Sequence, residues 1–373
     1  MFLTLETLAQ NHSSTIIFPT SKEESWRFND VSAYLQKPYE MQQELSWNNR
    51  FEADKVSELR FVNFDLLKSS LPLAITINSF DTKDTQTNPF LEAAQPYLKK
   101  PLFLTADQNE ELTIYNAFGK EGFYAQKRFV KVLKNSSLKL IDIYESDQES
   151  FIALDMDVTL EEGAVFHYIR INLLATTTVM VSQNFMHQAK DANLKVNIYN
   201  NGGALTHESY ESFLDQNSQL KLHALTVAKK SQANTIVSRV THEKSSSKSD
   251  QQAKEVLADK SKAVFDTTSK VVQGTKDCEV YQHNAALLLD DSAQIHSKPH
   301  LKIYTDALIA QHGSTVGALD EEAFFYLQSR GLSQDQAHLI LIEAFSADML
   351  DSIEDEAIVA KIKTFTEHDD ELS

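Results

Sequence analysis

From about residue 127 to residue 315 the chain is built from short apolar runs separated by polar turns. Runs such as "KRFVKVLKN", "FIALDMDVTL", "NLKVNIYN", "QLKLHALTVAK" and "HLKIYTDALIA" are rich in Val, Ile, Leu and Thr. Several alternate strictly: Leu194, Val196 and Ile198 against Lys195 and Asn197, and Leu220 and Leu222 against Lys221 and His223. Alternation with period two sends one set of side chains inward and the other toward solvent, the signature of half-buried strands. Polar turns such as Asn201-Gly202-Gly203 join the runs, and no intervening helix is long enough for a βαβ crossover. A strand-rich middle of this length fits a large sandwich, a barrel or a parallel β-helix, and no clean short repeat chooses among them. Residues 247–265, "SKSDQQAKEVLADKSKAVF", depart from the pattern. Ala253, Val256, Leu257 and Lys260 stand at helical spacing and predict a local helix, with an extended excursion as the alternative.

The flanks differ. Residues 1–125 read as mixed and mostly helical, with a turn at Asn29-Asp30 able to cap a short helix. A second short helix, "TNPFLEAAQPYLKK", is broken by Pro96. After residue 316 the helical signals are plain. Asp320 caps a helix whose first turn holds Glu321 and Glu322, and Gly331 ends it. Ser333 and Gln336 have capping-box spacing, and Ala337, Ile340, Leu341, Ala344 and Phe345 follow as an amphipathic stripe. Leu339 and Ile342 widen that stripe beyond one contact, as in a helix with two partners.

Composition narrows the function. The net charge of −18 disfavours nucleic acid, whose phosphates an acidic surface repels. No basic leader or apolar run of about 18 residues is present, so the expectation is a cytoplasmic chain away from the membrane. The last 23 residues, 351–373, carry eight acidic and two basic side chains and read as a solvated face. One cysteine, Cys278, excludes a disulfide framework and an all-cysteine metal site, and a lone thiol reads as an inert small side chain. There is no phosphate-binding glycine loop and no nucleophile elbow, and only nine glycines. His296 and His300 stand four apart, but Pro299 between them argues against a shared helical face for a metal. Taken alone the chain reads as a non-enzyme, or as one that lends a residue or two to a shared site.

Three stretches carry a resemblance. His312-Gly313-Ser314-Thr315, then Phe325-Tyr326-Leu327-Gln328-Ser329-Arg330-Gly331, stand where the SufB/SufD family of iron–sulfur cluster assembly scaffolds has His-Gly-Ala-Thr and Phe-Tyr-Leu-x-x-Arg-Gly. Upstream, "DCEVYQHNAALLLDDSAQIHSKPHLKIYTD" resembles the family's run of Tyr-Gln-x-Asn, triple leucine and Ser-Lys-Pro. Glu24-Ser25-Trp26-Arg27-Phe28 resembles its N-terminal Glu-x-Trp-Lys-Tyr element. The chain looks more like the SufD branch than the SufB branch, having no cysteine after Cys278. Ala310 stands where many SufD relatives carry a cysteine two positions before the histidine.

The resemblance implies a mainly β fold with flanking α: a right-handed parallel β-helix over 126–316, between an N-terminal region (1–125) and a C-terminal helical domain (317–373). It implies a non-catalytic scaffold subunit that pairs with SufB through the ends of their β-helices and docks the SufC ATPase on its C-terminal helices. Phe325, Tyr326, Leu327, Arg330, Ile340, Leu341 and Phe345 are the docking candidates. His312 is the candidate ligand for a transient iron–sulfur cluster at the SufB–SufD interface, and a reduced flavin bound by the complex is a further cofactor that relatives raise. The rival readings are a homodimeric scaffold without SufB and a β-helix enzyme acting on carbohydrate.

Overall fold

A computed structural model describes residues 2–11, 15–41, 57–71, 75–76 and 88–367. Its centre is a parallel β-solenoid of about eight turns. Successive strands alternate between two sheets. One runs from Ile75–Thr76 through Leu102–Ala106 to Gln294–Ile303, the other from Asp65–Ser70 through Glu58–Val62 and Asn109–Phe118 to Leu308–Ala318. Of the three architectures that alternation allows, the parallel β-helix is the one formed.

The repeat is real in space and irregular in sequence. Phe151 pairs with Val179 and Val179 with Leu205, while Ala233 pairs with Lys262 and Lys262 with Gln294. The register therefore advances by 28, 26, 29 and 32 residues at those steps, and a fixed-period search smears such a signal. Turn length absorbs the variation. Many turns place Asn or Asp at positive φ, including Asn135, Asp191, Asn217, Asp259 and Asp277, residues whose short polar side chains tolerate the left-handed region. In the Asn-Gly-Gly turn, a Cβ on Gly202 (φ +99°) would stand 1.9 Å from the Leu174 carbonyl oxygen, so only glycine fits.

The stretch read as a helix at 247–265 is two strands, Lys248–Leu257 and Lys262–Val271. Ser249, Gln251, Ala253, Glu255 and Leu257 alternate inward and are all buried. Three of these five are polar, so period two exists in burial but not in hydropathy. Strand pairing begins ahead of residue 126, inside the stretch read as mixed and mostly helical: Leu102–Ala106 stacks in parallel on the next coil, and so does Asn109–Phe118, whose Leu112, Ile114 and Tyr115 mark the entry to a strand in the sequence itself.

The described N-terminal residues include three short helices, α1 (Leu5–Gln10), α2 (Ser32–Leu35) and α3 (Pro89–Ala93), the last capped by the Asn88 side chain. They bury Leu5, Leu8, Leu35, Phe90 and Leu91 against Phe123, Phe151, Val181 and Leu205 on the outer face of one sheet. Three longer helices end the chain: α4 (Glu321–Ser329), α5 (Gln334–Asp351) and α6 (Glu356–Glu367). The Asp320 cap, the Ser333–Gln336 capping box and the left-handed Gly331 are all present. Ile342, Met349, Leu350, Ile358 and Ile362 pack on Ile141, Ile143, Ile169, Ile171 and Val227 of the other sheet's outer face. The buried side of α5 holds Ala337, Ile342, Ser346, Met349 and Leu350, with Phe345 packed beside them; of the stripe that spacing suggested, Ala337 and Phe345 lie on that side, Leu341 is half-buried, and Ile340 and Ala344 are exposed. The acidic end of the tail, residues 368–373, lies outside the described residues.

Candidate functional site at the open end of the solenoid

The last two strands, Gln294–Ile303 and Leu308–Ala318, each pair on one side only and form the outer edge of their sheets. No described element caps them, so a row of backbone donors and acceptors is left open, together with exposed Ile303, Tyr304, Ile309 and Val316. Such an edge is a template for pairing with another chain.

His312 lies in the middle of the final strand, in register with Gln282 of the strand below. In-register parallel partners project to the same side of a sheet, and Gln282 is buried in the lumen. His312 therefore stands on the lumenal row at the mouth of the solenoid. Its side chain is exposed and makes no hydrogen bond or ion pair among the described residues. An imidazole there is a borderline ligand that a metal brought from outside could reach. No group of three or more His, Cys, Asp or Glu residues able to hold a metal occurs among the described residues. Any cluster built here would need most of its ligands from a second chain.

The other sequence candidates separate. His296 stacks on Phe28 with ring centroids 3.7 Å apart, and His300 Nε2 lies 3.6 Å from the Glu24 carboxylate. Both point outward toward the N-terminal segment, so they serve its docking rather than a shared metal. Burial, with Lys298 and Lys262 nearby, holds His296 below the usual imidazole range. Cys278 is fully buried, 3.6 Å from Ser247 Oγ, where it packs as a small inert side chain. Ala310 packs with Val271, Cys278 and Val280, so nothing but a methyl is offered at that position.

The C-terminal helices present a second apolar surface. Phe325 is 73% exposed and Tyr326 56%, and Ile340 is exposed beside them on α5. Arg330 lies over the Tyr326 ring at 5.1 Å, and Phe324 stacks on His338 at 4.6 Å, fixing α4 against α5. Leu327 and Leu341 are half-buried. Phe345 faces the other way: it packs on the solenoid-side core, and Lys254 Nζ donates to its carbonyl at 2.7 Å. Phe325, Tyr326, Arg330 and Ile340 are therefore the outward set, and Phe345 holds the helix to the sheet.

Residues 115–345 match the family described as SUF system FeS cluster assembly, SufBD core domain. The chain belongs to the SufB/SufD family of iron–sulfur cluster assembly proteins. It is 28% identical to the iron–sulfur cluster assembly protein SufD of Escherichia coli over 218 residues, 58% of this chain and 52% of that protein. It is 25% identical to an iron–sulfur cluster assembly SufBD family protein of Synechocystis over 260 residues, 69% of this chain and 54% of that one. A chloroplastic protein of Arabidopsis thaliana, Protein ABCI7, aligns over 94% of this chain and 82% of its own length at 21% identity. The chain thus spans about half the length of the first two relatives. The likeness is to SufD, as the lone cysteine suggested.

Proposed function

We propose that this chain is a SufD-type subunit of a cytoplasmic iron–sulfur cluster scaffold. Its open end pairs with SufB, and its outward α4–α5 surface docks the SufC ATPase. The observation that carries this reading is the uncapped final coil, with an exposed histidine and no partner at the centre of its lumenal row. Family membership and the name of the Escherichia coli relative support the assembly role. The transient cluster is cargo: His312 lends one nitrogen and SufB supplies the remaining ligands. The subunit itself carries out no covalent step, and a flavin, where the complex holds one, is shared with SufB rather than bound by this chain alone.

The test is co-expression of the tagged chain with SufB and SufC, followed by native mass spectrometry. One copy each of this chain and SufB with two of SufC is the expected assembly. A chain that emerges alone or paired with itself defeats the SufB reading and favours a homodimeric scaffold. Leu341→Asp puts a carboxylate at the edge of the outward surface, and loss of SufC with retention of SufB is the expected result. His312→Ala leaves the complex's mass unchanged and sharply reduces maturation of iron–sulfur enzymes in cells. Normal maturation in that variant removes His312 from the site.

A further inference from the structure

Two of the motifs that mark this chain, Tyr281-Gln282-His283-Asn284 and His312-Gly313-Ser314-Thr315, are some 30 residues apart and play no obvious joint part in the sequence. In the solenoid they are stacked. Gln282 pairs with His312 and Asn284 with Ser314, one coil apart. That separation is about 4.8 Å between strands. Both amides face the lumen and are buried, Gln282 at 1% exposure and Asn284 at 5%.

Their hydrogen bonds are lopsided. Gln282 Nε2 donates to Ser269 Oγ at 2.9 Å and to the His300 carbonyl at 3.3 Å. A carbonyl accepts only, so this orientation of the amide is fixed and Oε1 must lie on the other side. Gln282 Oε1 is buried and has no donor. Asn284 repeats the arrangement: Nδ2 donates to both oxygens of Glu255, at 2.8 and 2.7 Å, and Oδ1 is buried without a partner. A buried acceptor left unpaired costs about 1–3 kcal/mol, so two of them side by side call for donors. The residues in register above are His312, with a ring N–H, and Ser314, with a hydroxyl.

We propose that Gln282 is a positioning residue for His312: its Oε1 accepts the hydrogen bond of one imidazole N–H, holding the ring in one tautomer with its other nitrogen aimed out of the mouth. Asn284 Oδ1 takes the Ser314 hydroxyl in the same way and steadies the strand. A ligating histidine is generally oriented by an acceptor on its far nitrogen, and loss of such an acceptor weakens metal binding by 10–100-fold. The inference rests on His312 being the ligand, as proposed above, but the positioning can be read independently.

The experiment uses the full chain with 15N-labelled histidine. The His312 ring signals are assigned by their loss in His312→Gln, and the outward-facing His283 next to Gln282 serves as control. In the wild type, the two His312 nitrogens give the well-separated shifts of a single tautomer. In Gln282→Met, which keeps the length and removes the acceptor, they converge as the tautomers exchange, while His283 does not change. In Gln282→Glu, which restores an acceptor oxygen, the separated pair returns. In the complex with SufB and SufC, cluster assembly in Gln282→Met falls about tenfold, as expected for loss of an orienting acceptor, and Gln282→Glu recovers it. His312 shifts that ignore both substitutions overturn the positioning, even where His312→Ala abolishes assembly. Coupled shifts together with assembly that ignores His312→Ala would leave the positioning intact and overturn the ligand reading instead.

Discussion

Buried polar networks line the lumen among the described residues, and the two nearest its ends are built on opposite terms. Near the start, Arg128 donates to both oxygens of Asp142 at 2.9 Å and also reaches Asn116 and Gln126, while Tyr144 and Tyr168 donate to the same carboxylate at 2.7 and 2.9 Å. None of that group's side-chain polar atoms is among those buried without a partner. Near the open end, Gln251, Gln282 and Asn284 each keep a buried carbonyl oxygen without a donor. A closed ionic network fixes a coil. Acceptors left open one step (Gln282, Asn284) and two steps (Gln251) below an uncapped strand are poised to receive donors. The two ends share one fold and one register, so the difference lies in which polar residues occupy the lumenal rows.

The contrast is sharpest in what removal costs. Asp142→Ala strips Arg128 of its counter-ion in the dry lumen and orphans two tyrosine hydroxyls. The expected loss is about 3–5 kcal/mol, the cost of leaving a buried charge uncompensated. Urea unfolding of this variant beside Gln282→Met tests the comparison. The open-end substitution leaves no charge behind and is expected to cost less than about 2 kcal/mol. Equal losses at the two ends would mean that the open end is as tightly committed as the closed one.

The same networks explain what the sequence could and could not reveal. Where lumenal rows are apolar, as at Leu194, Val196 and Ile198, alternation alone finds the strands. Where Ser249, Gln251 and Glu255 take those rows, the hydropathic alternation vanishes and the leftover Ala253–Val256–Leu257 spacing imitates a helix. Val256 adds to the imitation because α5 covers its outward side, so one strand is apolar on parts of both faces. Helix caps are local, and Asp320, Ser333 and Gly331 were legible for that reason. Which side of α5 meets the solenoid depends on residues 91 and 94 positions away, such as Lys254 against Phe345 and Asp348, and spacing alone did not single that side out. His312 was legible only as part of a motif. Its register with Gln282 depends on turn lengths that sum to a whole coil, and no short-range pattern carries that.

A second way to probe the comparison is pH. Burial pushes the Glu255 carboxyl up to about 8, with the Asn284 hydrogen bonds pulling the other way. The folded state therefore binds a proton that the unfolded chain, with an ordinary carboxyl, has released. Glu255 is then easiest to bury below about pH 4.5, and its stabilising protonation is lost as pH rises toward 8. Across that window the slope approaches about 1.4 kcal/mol per pH unit for one proton. Glu255→Gln is expected to flatten the stability profile between roughly pH 5 and 8, because an amide occupies the site without titrating. Thermal melts of both proteins over that range measure it. An unchanged slope would show that Glu255 titrates as an exposed carboxylate, and the open end would then be wetter than its burial indicates.

The smallest expected effect on stability comes from the residue with the largest expected effect on function. His312 is exposed and makes no polar contact among the described residues, so His312→Ala removes little packing. What it does remove is the proposed donor to Gln282 Oε1, and at an open mouth water can replace that donor. The expected cost is under about 1 kcal/mol, within the range of surface substitutions that disturb one satisfied group. A urea midpoint close to wild type, together with collapsed cluster assembly, would separate the two roles of the solenoid: early coils that hold the fold, and a last coil kept open for a partner. A loss of 3 kcal/mol or more would instead make His312 a structural residue. The contrast between the two ends would then dissolve, since each would be closed by its own buried network.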